Sequence, residues 1–321
     1  MSRTVALTGA TGFIGSTLAR ILRQAGWQVR ALVRPQTGPG RLADLNVTCV
    51  TGTLEDSKSL TALVTGADAV VHCAGAVRGA SEADFQRVNV TGVEQIVAAA
   101  SRQSPAPHFL LISSLAAREP QLSAYAASKR DGERALQNEA GTMPWVILRP
   151  PAVYGPGDRE ILPLFRWMMR GIALVTGPGS ARFSLLYVDD LAAAVARLLE
   201  QRDTVRGATF ELHDGRQDGY SWSDIVSTVR ELRRSSVIRV RVPLLWLKLA
   251  AALNEGIARL FGLSPMLTLG KVRELSHPDW VASNQAIYLA TGWQPSVALK
   301  QGLCRTLDLS ASGTSIEPNR S

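Results

Sequence analysis

The chain has 321 residues, enough to bury a large core, and we expect one α/β domain with a smaller one beside it. It is 46% hydrophobic and 19% charged, as ordinary globular proteins are, and its formal net charge is +8. No dense block of lysine and arginine is present, which favours solvated arginines over a nucleic-acid-binding surface.

Short apolar runs alternate with segments of helical length through residue 149. Several runs are apolar almost throughout, which is typical of strands buried on both faces of a parallel sheet. The alternation predicts an α/β fold with a doubly wound parallel sheet. The predicted strands are Thr4–Thr8, Gln28–Val33, Val47–Thr51, Ala69–Cys73, Phe109–Ser113 and Trp145–Leu148, and the predicted helices are 13–25, 82–102 and 123–140.

The first strand and helix enclose a run of spaced glycines in VALTGATGFIGSTLAR, residues 5–20. Gly9 would permit the tight turn, Gly12 would let the backbone approach a pyrophosphate, and Gly15 would let helix and strand pack closely. The free N–H groups at the start of the helix would bind the phosphates. The spacing in this context predicts a Rossmann-type dinucleotide site.

The end of the second predicted strand indicates which dinucleotide is bound. Many NAD-binding proteins carry an acidic residue there, which bonds the ribose 2′-hydroxyl. In this chain Arg34 follows the strand, and a guanidinium suits a 2′-phosphate, with Arg30 and Arg41 as candidates to assist. NADP is therefore favoured over NAD, although Arg34 is also explained as a surface charge.

Tyr125 and Lys129 stand four residues apart in a predicted helix and so share one face. The ammonium would favour the phenolate and lower the pKa of Tyr125, which could then exchange a proton with a carbonyl or alcohol oxygen. Ser113 and Ser114 end a predicted strand and could hydrogen-bond that same oxygen. A surface pair beside two strand-end serines is the alternative interpretation.

The composition and periodicity of the sequence change after RPPAVYGPGD, residues 149–158. Proline and glycine cluster there, and helical patterns dominate the residues that follow. We predict a dinucleotide-binding domain over 1–159 and a smaller, mainly helical substrate lobe over 160–309. Residues 185–212 are expected to return to the first domain. The polar tail, 310–321, is expected to be disordered.

Cysteine and histidine usage gives no sign of a disulfide framework or a metal site. Cys49, Cys73 and Cys304 form no CxxC pair, and the four histidines are scattered. The N-terminus lacks a signal-peptide pattern, and no uncharged run reaches transmembrane length. We therefore expect a cytoplasmic protein.

Together these motifs resemble the extended short-chain dehydrogenases/reductases of the NAD(P)-dependent epimerase/dehydratase family. In its overall sequence pattern the chain is similar to the dihydroflavonol reductase and 3β-hydroxysteroid dehydrogenase-like members of this family. The matching segments are TGATGFIG (8–15), DAVVHCAGAV (68–77), VNVTGVEQIV (88–97), SS (113–114), YAASK (125–129), RPPAVYGPGD (149–158) and LLYVDDLAAAV (185–195).

The resemblance implies a role for each matching position. Tyr125 would be the general acid/base, Lys129 would bind the nicotinamide ribose, and Ser114 would orient the substrate oxygen. The family often has Asp where this chain has Thr53, so adenine recognition there would use Thr53 or the backbone. The cofactor-binding residues implied are Gly9, Thr11, Gly12, Phe13, Ile14, Gly15, Arg34, Thr53, Leu54, Cys73, Ala74, Gly75, Asn89, Tyr125, Lys129, Pro150 and Val153.

The substrate is narrowed by two departures from known subgroups of the family. Dehydratases carry an Asp-Glu pair after the active-site hydroxyl residue, whereas Leu115 and Ala116 stand here and cannot take a proton. Sugar-nucleotide members often have Arg-Asp where this chain has Phe183 and Ser184. These departures favour reductase or hydroxysteroid-type members and make a nucleotide-sugar epimerase the second choice.

The apolar stretch over 242–265 allows three interpretations. It could line an apolar substrate pocket, lie on a membrane surface, or form a core helix of the smaller lobe, and the core helix is preferred over the membrane role.

The sequence thus predicts an NADP(H)-dependent oxidoreductase of an apolar or moderately sized carbonyl or alcohol. A non-catalytic NADPH-binding protein is a further alternative. The helices 82–102 and 123–140 resemble those through which family members dimerise, which makes a homodimer plausible.

Overall fold

The computed structural model describes residues 3–79, 81–261, 265 and 267–309. The expected disordered tail, 310–321, lies outside the described residues. Up to residue 154 the elements are β1 (Thr4–Thr8), α1 (Phe13–Gln24), β2 (Gln28–Val33), β3 (Thr48–Thr51), α2 (Ser57–Val64), β4 (Ala69–His72), α3 (Glu82–Gln86), α4 (Gly92–Ser101), β5 (His108–Ile112), α5 (Ala124–Glu139), β6 (Trp145–Arg149) and β7 (Ala152–Tyr154).

Beyond residue 154 the strands are short and helices predominate. These elements are α6 (Leu162–Met169), β8 (Ile172–Val175), β9 (Arg182–Phe183), β10 (Leu185–Tyr187), α7 (Val188–Glu200), β11 (Ala208–Glu211), α8 (Trp222–Arg233), β12 (Ile238–Arg241), α9 (Leu244–Phe261), α10 (Leu269–Ser276), β13 (Asp279–Trp280), α11 (Gln285–Thr291) and α12 (Leu299–Thr306).

Seven parallel strands form the central sheet in the order β11-β6-β5-β4-β1-β2-β3. The chain runs outward from β1 to β3 and then crosses back to β4, so the strand order reverses between β1 and β4. In such sheets ligands bind in the crevice at the carboxyl ends of the strands, where this reversal occurs. The predicted α/β, Rossmann-type doubly wound sheet is confirmed.

The sheet is covered on both faces, which explains the continuous apolar runs. In β1, Val5 and Leu7 face a core shared with α1 and α7, whereas Ala6 faces a second core shared with α2, α4 and α5. A third core lies in the C-terminal part and includes Tyr154 and Phe165. The three cores hold the crevice between rigid elements.

The preferred interpretation of the apolar stretch over 242–265 is wrong. Within it α9 buries Ala251 and Ala258, but its large side chains Leu245, Trp246 and Leu253 are exposed. Small residues face the protein and bulky apolar residues face outward, so burial in a core does not account for the stretch. Residues 262–264 of the stretch lie outside the described residues.

Candidate active site

The glycine turn between β1 and α1 packs backbone against backbone. Gly9 has φ +69°, and a Cβ there would lie 2.6 Å from the Ala74 nitrogen. A Cβ on Gly15 would lie 2.0 Å from the Gly9 carbonyl oxygen. These contacts leave no room for a side chain at either position.

Gly12 differs, because the nearest atom to a Cβ there is the Gly9 oxygen at 3.3 Å and the residue is exposed. It is the N-cap of α1, where no side chain caps the helix and the first turn has no acidic residue. Uncapped N–H groups and an open backbone fit the pyrophosphate of a dinucleotide. Thr11, Phe13 and Ile14 beside it are partly exposed.

Two arginines stand near the end of β2, and a third is used elsewhere. Arg34 directly follows β2 and is exposed, and a Cβ on Gly157 would lie 2.4 Å from Nη1 of Arg41. Arg30, by contrast, donates through Nη1 to three carbonyl groups at the end of α2, those of Ala62, Leu63 and Thr65 at 3.3, 3.0 and 2.7 Å. The expectation that Arg30 assists at the 2′-phosphate is therefore wrong.

The loop after β4 borders the glycine turn. The Ala74 nitrogen donates to Oγ1 of Thr8 at 3.2 Å, which holds the loop against β1. Burial raises the pKa of the Cys73 thiol to about 12 and lowers the pKa of the His72 imidazole to about 3. Both side chains are therefore neutral near neutral pH.

Asn89 connects that loop to α5. Its Oδ1 accepts from the Ala76 nitrogen at 2.8 Å, and its Nδ2 donates to the Ala76 oxygen at 3.0 Å and to Oγ of Ser128 at 2.9 Å. The amide is buried, and these bonds engage both of its ends. The structure thus places Asn89 as a positioning residue between the loop and the helix that carries Tyr125.

Tyr125 lies in the first turn of α5, which begins after Ser123. Oγ of Ser123 accepts from the Ala126 nitrogen at 2.9 Å and caps the helix. Burial raises the pKa of Tyr125, and a hydrogen bond with the Ser114 hydroxyl opposes that rise. This direction is opposite to the one predicted, because desolvation outweighs stabilisation of the phenolate.

Lys129 follows one turn later on α5 and is buried. Its Nζ donates to the Ile112 oxygen at 2.9 Å, and a Cβ on Gly75 would lie 3.7 Å from Nζ. Burial lowers the pKa of Lys129 to about 8, while Cys73 and Glu133 act in the opposite direction. The ammonium thus lies beside the loop after β4, in the crevice.

The structure also distinguishes the two serines. Ser113 donates to Oε1 of Glu133 at 2.6 Å, and Arg149 binds both oxygens of that carboxylate at 2.8 and 2.6 Å. Because Ser113 is engaged in this buried network, Ser114 is the hydroxyl beside the phenol. The Glu133–Arg149 pair, which the sequence analysis missed, anchors α5 to β6.

A charged cluster from α10 lies over the first turn of α5. Ser123 donates to Oε1 of Glu274, and Lys271 pairs with Oε2 of Glu274 at 3.0 Å. The charges of Glu274 and Lys271 also act on the pKa of Tyr125. No sequence motif pointed to these residues, since they lie about 150 positions from Tyr125 and only the fold brings them together.

The other residues implied by the resemblance lie at the same carboxyl end of the sheet. Pro150 follows β6 and its oxygen accepts from the Leu115 nitrogen at 2.8 Å, while Val153 lies on β7 and is half-buried. Thr53 and Leu54 follow β3 and are partly exposed. The elements β1, β4, β5 and α5 thus bring the glycine turn and the Tyr125 group to one crevice.

Comparison with known proteins agrees with this geometry. The sequence model of the NAD dependent epimerase/dehydratase family matches residues 5–212. The chain is 38% identical over 304 residues to a ceramide reductase of Caulobacter vibrioides, covering 95% of this chain and 93% of that protein. It is 28% identical to a 2-alkyl-3-oxoalkanoate reductase of Stenotrophomonas maltophilia, covering 96% and 99%.

Solved structures share the fold at lower identity. A UDP-glucuronic acid 4-epimerase from Bacillus cereus, in complex with UDP-glucuronic acid and NAD, is 19% identical with a TM-score of 0.73, covering 96% of this chain and 99% of that one. The family match, the reductase relatives and the crevice lead to one conclusion. The chain belongs to the NAD dependent epimerase/dehydratase family and is an NAD(P)-dependent oxidoreductase of the extended short-chain dehydrogenase/reductase type.

Proposed function

We propose that this protein uses NADPH to reduce a ketone group on an amphiphilic substrate that carries long alkyl chains. The observation that carries the proposal is the position of Tyr125, beside the Ser114 hydroxyl and one helical turn from Lys129. Ceramide and 2-alkyl-3-oxoalkanoates, named in the two relatives, support the substrate class.

The residues of the crevice would divide the chemistry as follows. NADPH, when bound, would supply the hydride for the carbonyl carbon of the substrate. Tyr125 would donate its proton to the carbonyl oxygen, and Ser114 would orient that oxygen. Because burial raises the pKa of Tyr125, the phenol is protonated near neutral pH, as a proton donor must be.

The cofactor would be held by the glycine turn and by Lys129. The N–H groups of α1 would bind the pyrophosphate, and the Lys129 ammonium beside Gly75 would bind the nicotinamide ribose. Arg34 at the end of β2 supports NADPH over NADH, because its exposed guanidinium suits a 2′-phosphate.

The test of the reaction is Tyr125→Phe. We expect the variant to lose turnover of a 3-ketoceramide or a 2-alkyl-3-oxoalkanoate by about 10²–10⁴-fold, because the proton donor is removed. NADPH affinity, measured by nicotinamide fluorescence, should change far less than turnover, because the glycine turn and Lys129 would still hold the cofactor. Tyr288→Phe is the matched control, since this tyrosine lies half-exposed on α11. Undiminished turnover in Tyr125→Phe would refute the proposal, as would epimerisation of a UDP-sugar without net oxidation of NADPH.

The cofactor preference is tested with Arg34→Ala. We expect the dissociation constant of NADPH to rise about tenfold or more and that of NADH to stay the same, because only NADPH has the 2′-phosphate. Arg134→Ala serves as the control, because this arginine is exposed on α5 and pairs with Asp131. Equal losses for both cofactors would contradict a role at the 2′-phosphate.

A further inference from the structure

We propose that the outward side of α9 is a docking face for the surface of an anionic lipid bilayer. The apolar face consists of Leu245, Trp246, Leu249, Leu253 and Ile257. From Trp246 onward these residues are three or four positions apart, so they form one stripe along the helix. Trp246 and Leu253 are 65% and 66% exposed, which is unusual for large apolar side chains that share one stripe.

The strands that precede α9 in the chain carry a second exposed apolar surface. β12 pairs in parallel with β8, so that Ile238 stands beside Ile172 and Val240 beside Leu174. All four side chains are exposed and lie on one face of this two-stranded ribbon, because alternate residues of a strand share a face. The two-residue segment 242–243 joins the ribbon directly to α9.

The charges around the apolar face are complementary to anionic lipids. Between residues 234 and 258 the basic side chains near this face are Lys248 of α9 and Arg241, which lines a groove together with Leu244, and both are exposed. Arg239, by contrast, lies on the other face of the ribbon and donates to Oγ of Ser223 at 3.0 Å. The acidic side chain in this segment, Glu255, faces α10 and its Oε1 accepts from the Leu269 nitrogen at 2.6 Å. A bulky apolar stripe with a cationic border is the pattern of helices that lie in the interface of anionic membranes.

The helix that carries the apolar face borders a groove that extends to the turn before α5. The groove, of about 280 Å³, is lined by Leu244 and Lys248 of α9 and by Leu122, which precedes α5. Nε of Arg273 donates to the Leu122 oxygen at 2.6 Å and fixes that end. A surface docked through α9 would therefore lie beside the turn that leads into α5.

The geometry indicates a helix lying on the bilayer surface. Within the part of the chain that the structure describes, no helix is long and apolar enough to cross a membrane. The docking inference concerns where the protein meets a lipid surface, and vesicle binding is measured without any reaction, so it can fail or succeed independently of the proposed reduction.

The experiment measures flotation of the purified full chain with phosphatidylcholine vesicles that contain or lack phosphatidylglycerol. We expect flotation with the anionic vesicles and a loss of about tenfold or more in partitioning for Leu249→Glu or Leu253→Glu. Leu289→Glu is the matched control, because this leucine is 75% exposed on α11. Lys248→Glu, a second variant, should weaken binding to anionic vesicles alone, and the effect should shrink as salt is added.

Three outcomes would overturn the inference. The first is no flotation of the unaltered chain with anionic vesicles, and the second is equal partitioning of the α9 variants and Leu289→Glu. The third is a dimer in light scattering that Leu249→Glu converts to a monomer while vesicle binding is absent, because a second copy of this chain would then cover the face.

Discussion

Lys129 holds an ammonium group in a buried position, and burial lowers its pKa from 10.5 to about 8. Below the folded-state value both folded and unfolded chains are protonated, and the folded chain carries the full cost of the buried charge. Between about pH 8 and 10.5 the unfolded chain binds a proton that the folded chain lacks. The contribution of Lys129 to the free energy of unfolding therefore rises with pH over this window.

Lys129→Met should make this dependence visible. At about pH 7 we expect the variant to gain stability relative to the unaltered chain, because it buries no charge. This difference in the free energy of unfolding should shrink by about 3 kcal/mol as the pH rises towards 10.5. Urea unfolding of both proteins across the window measures it. A difference between the two proteins that does not vary with pH would show that Lys129 is not desolvated.

At the same scale, side-chain spacing predicted which residues meet in the crevice but not their electrostatics. The four-residue interval between Tyr125 and Lys129 placed both on one face of a helix, and the structure has them on α5. The predicted fall in the pKa of Tyr125 was wrong, because the depth at which a phenol is buried depends on neighbours from distant segments. Glu274 and Lys271 are two such neighbours.

At the scale of elements, we expect two glycines of the turn between β1 and α1 to be needed for different reasons. Gly15 would be needed for packing of the fold, whereas Gly12 would be needed for binding of the cofactor. Gly15→Ala should destabilise the fold by several kcal/mol, because its Cβ would overlap the Gly9 oxygen at 2.0 Å. Gly12→Ala should cost much less stability than Gly15→Ala, since the nearest atom lies at 3.3 Å, but it should weaken NADPH binding by obstructing the pyrophosphate. Thermal unfolding and fluorescence titration measure the two effects, and equal losses of stability in both variants would contradict this division.

The elements differ in how far their sequences predict them. The predicted strand Thr4–Thr8 matches β1, because burial on both faces leaves the apolar run Val5–Leu7. The predicted helix 82–102 is divided by a π-type turn at Arg87–Thr91, where Asn89 binds the loop after β4. The exposure of α9 could not be foreseen, since an apolar pattern does not reveal whether another surface covers it.

At the scale of the whole molecule, Arg118 joins the sheet domain to the C-terminal residues. Its guanidinium donates to the Val281 oxygen at 2.8 Å and to the Asp279 oxygen at 2.6 Å, and it lies over the Trp280 ring. Arg118 belongs to a 3₁₀ turn that starts directly after Ser114. The segment after α10 is therefore held beside the strand end that carries Ser114.

Arg118→Met should lower the free energy of unfolding by about 1–3 kcal/mol, because two carbonyl groups lose a charged donor. It should also raise KM more than it lowers kcat, since the wall of the crevice loosens while Tyr125 stays in place. Urea unfolding and steady-state kinetics measure these effects, with Arg134→Met as the exposed control. If kcat fell while KM stayed constant, Arg118 would have to act on the chemical step.

The double role of the Ser123 hydroxyl bears on the tolerance of the enzyme for different head groups. This one oxygen caps the helix that carries Tyr125 and also donates to Glu274 of the lobe above it. A ligand large enough to displace α10 would break that link and would loosen the first turn of α5, because the same oxygen caps it. Oversized compounds would then bind while Tyr125 is out of position. Their affinity would be retained, but their turnover would be low.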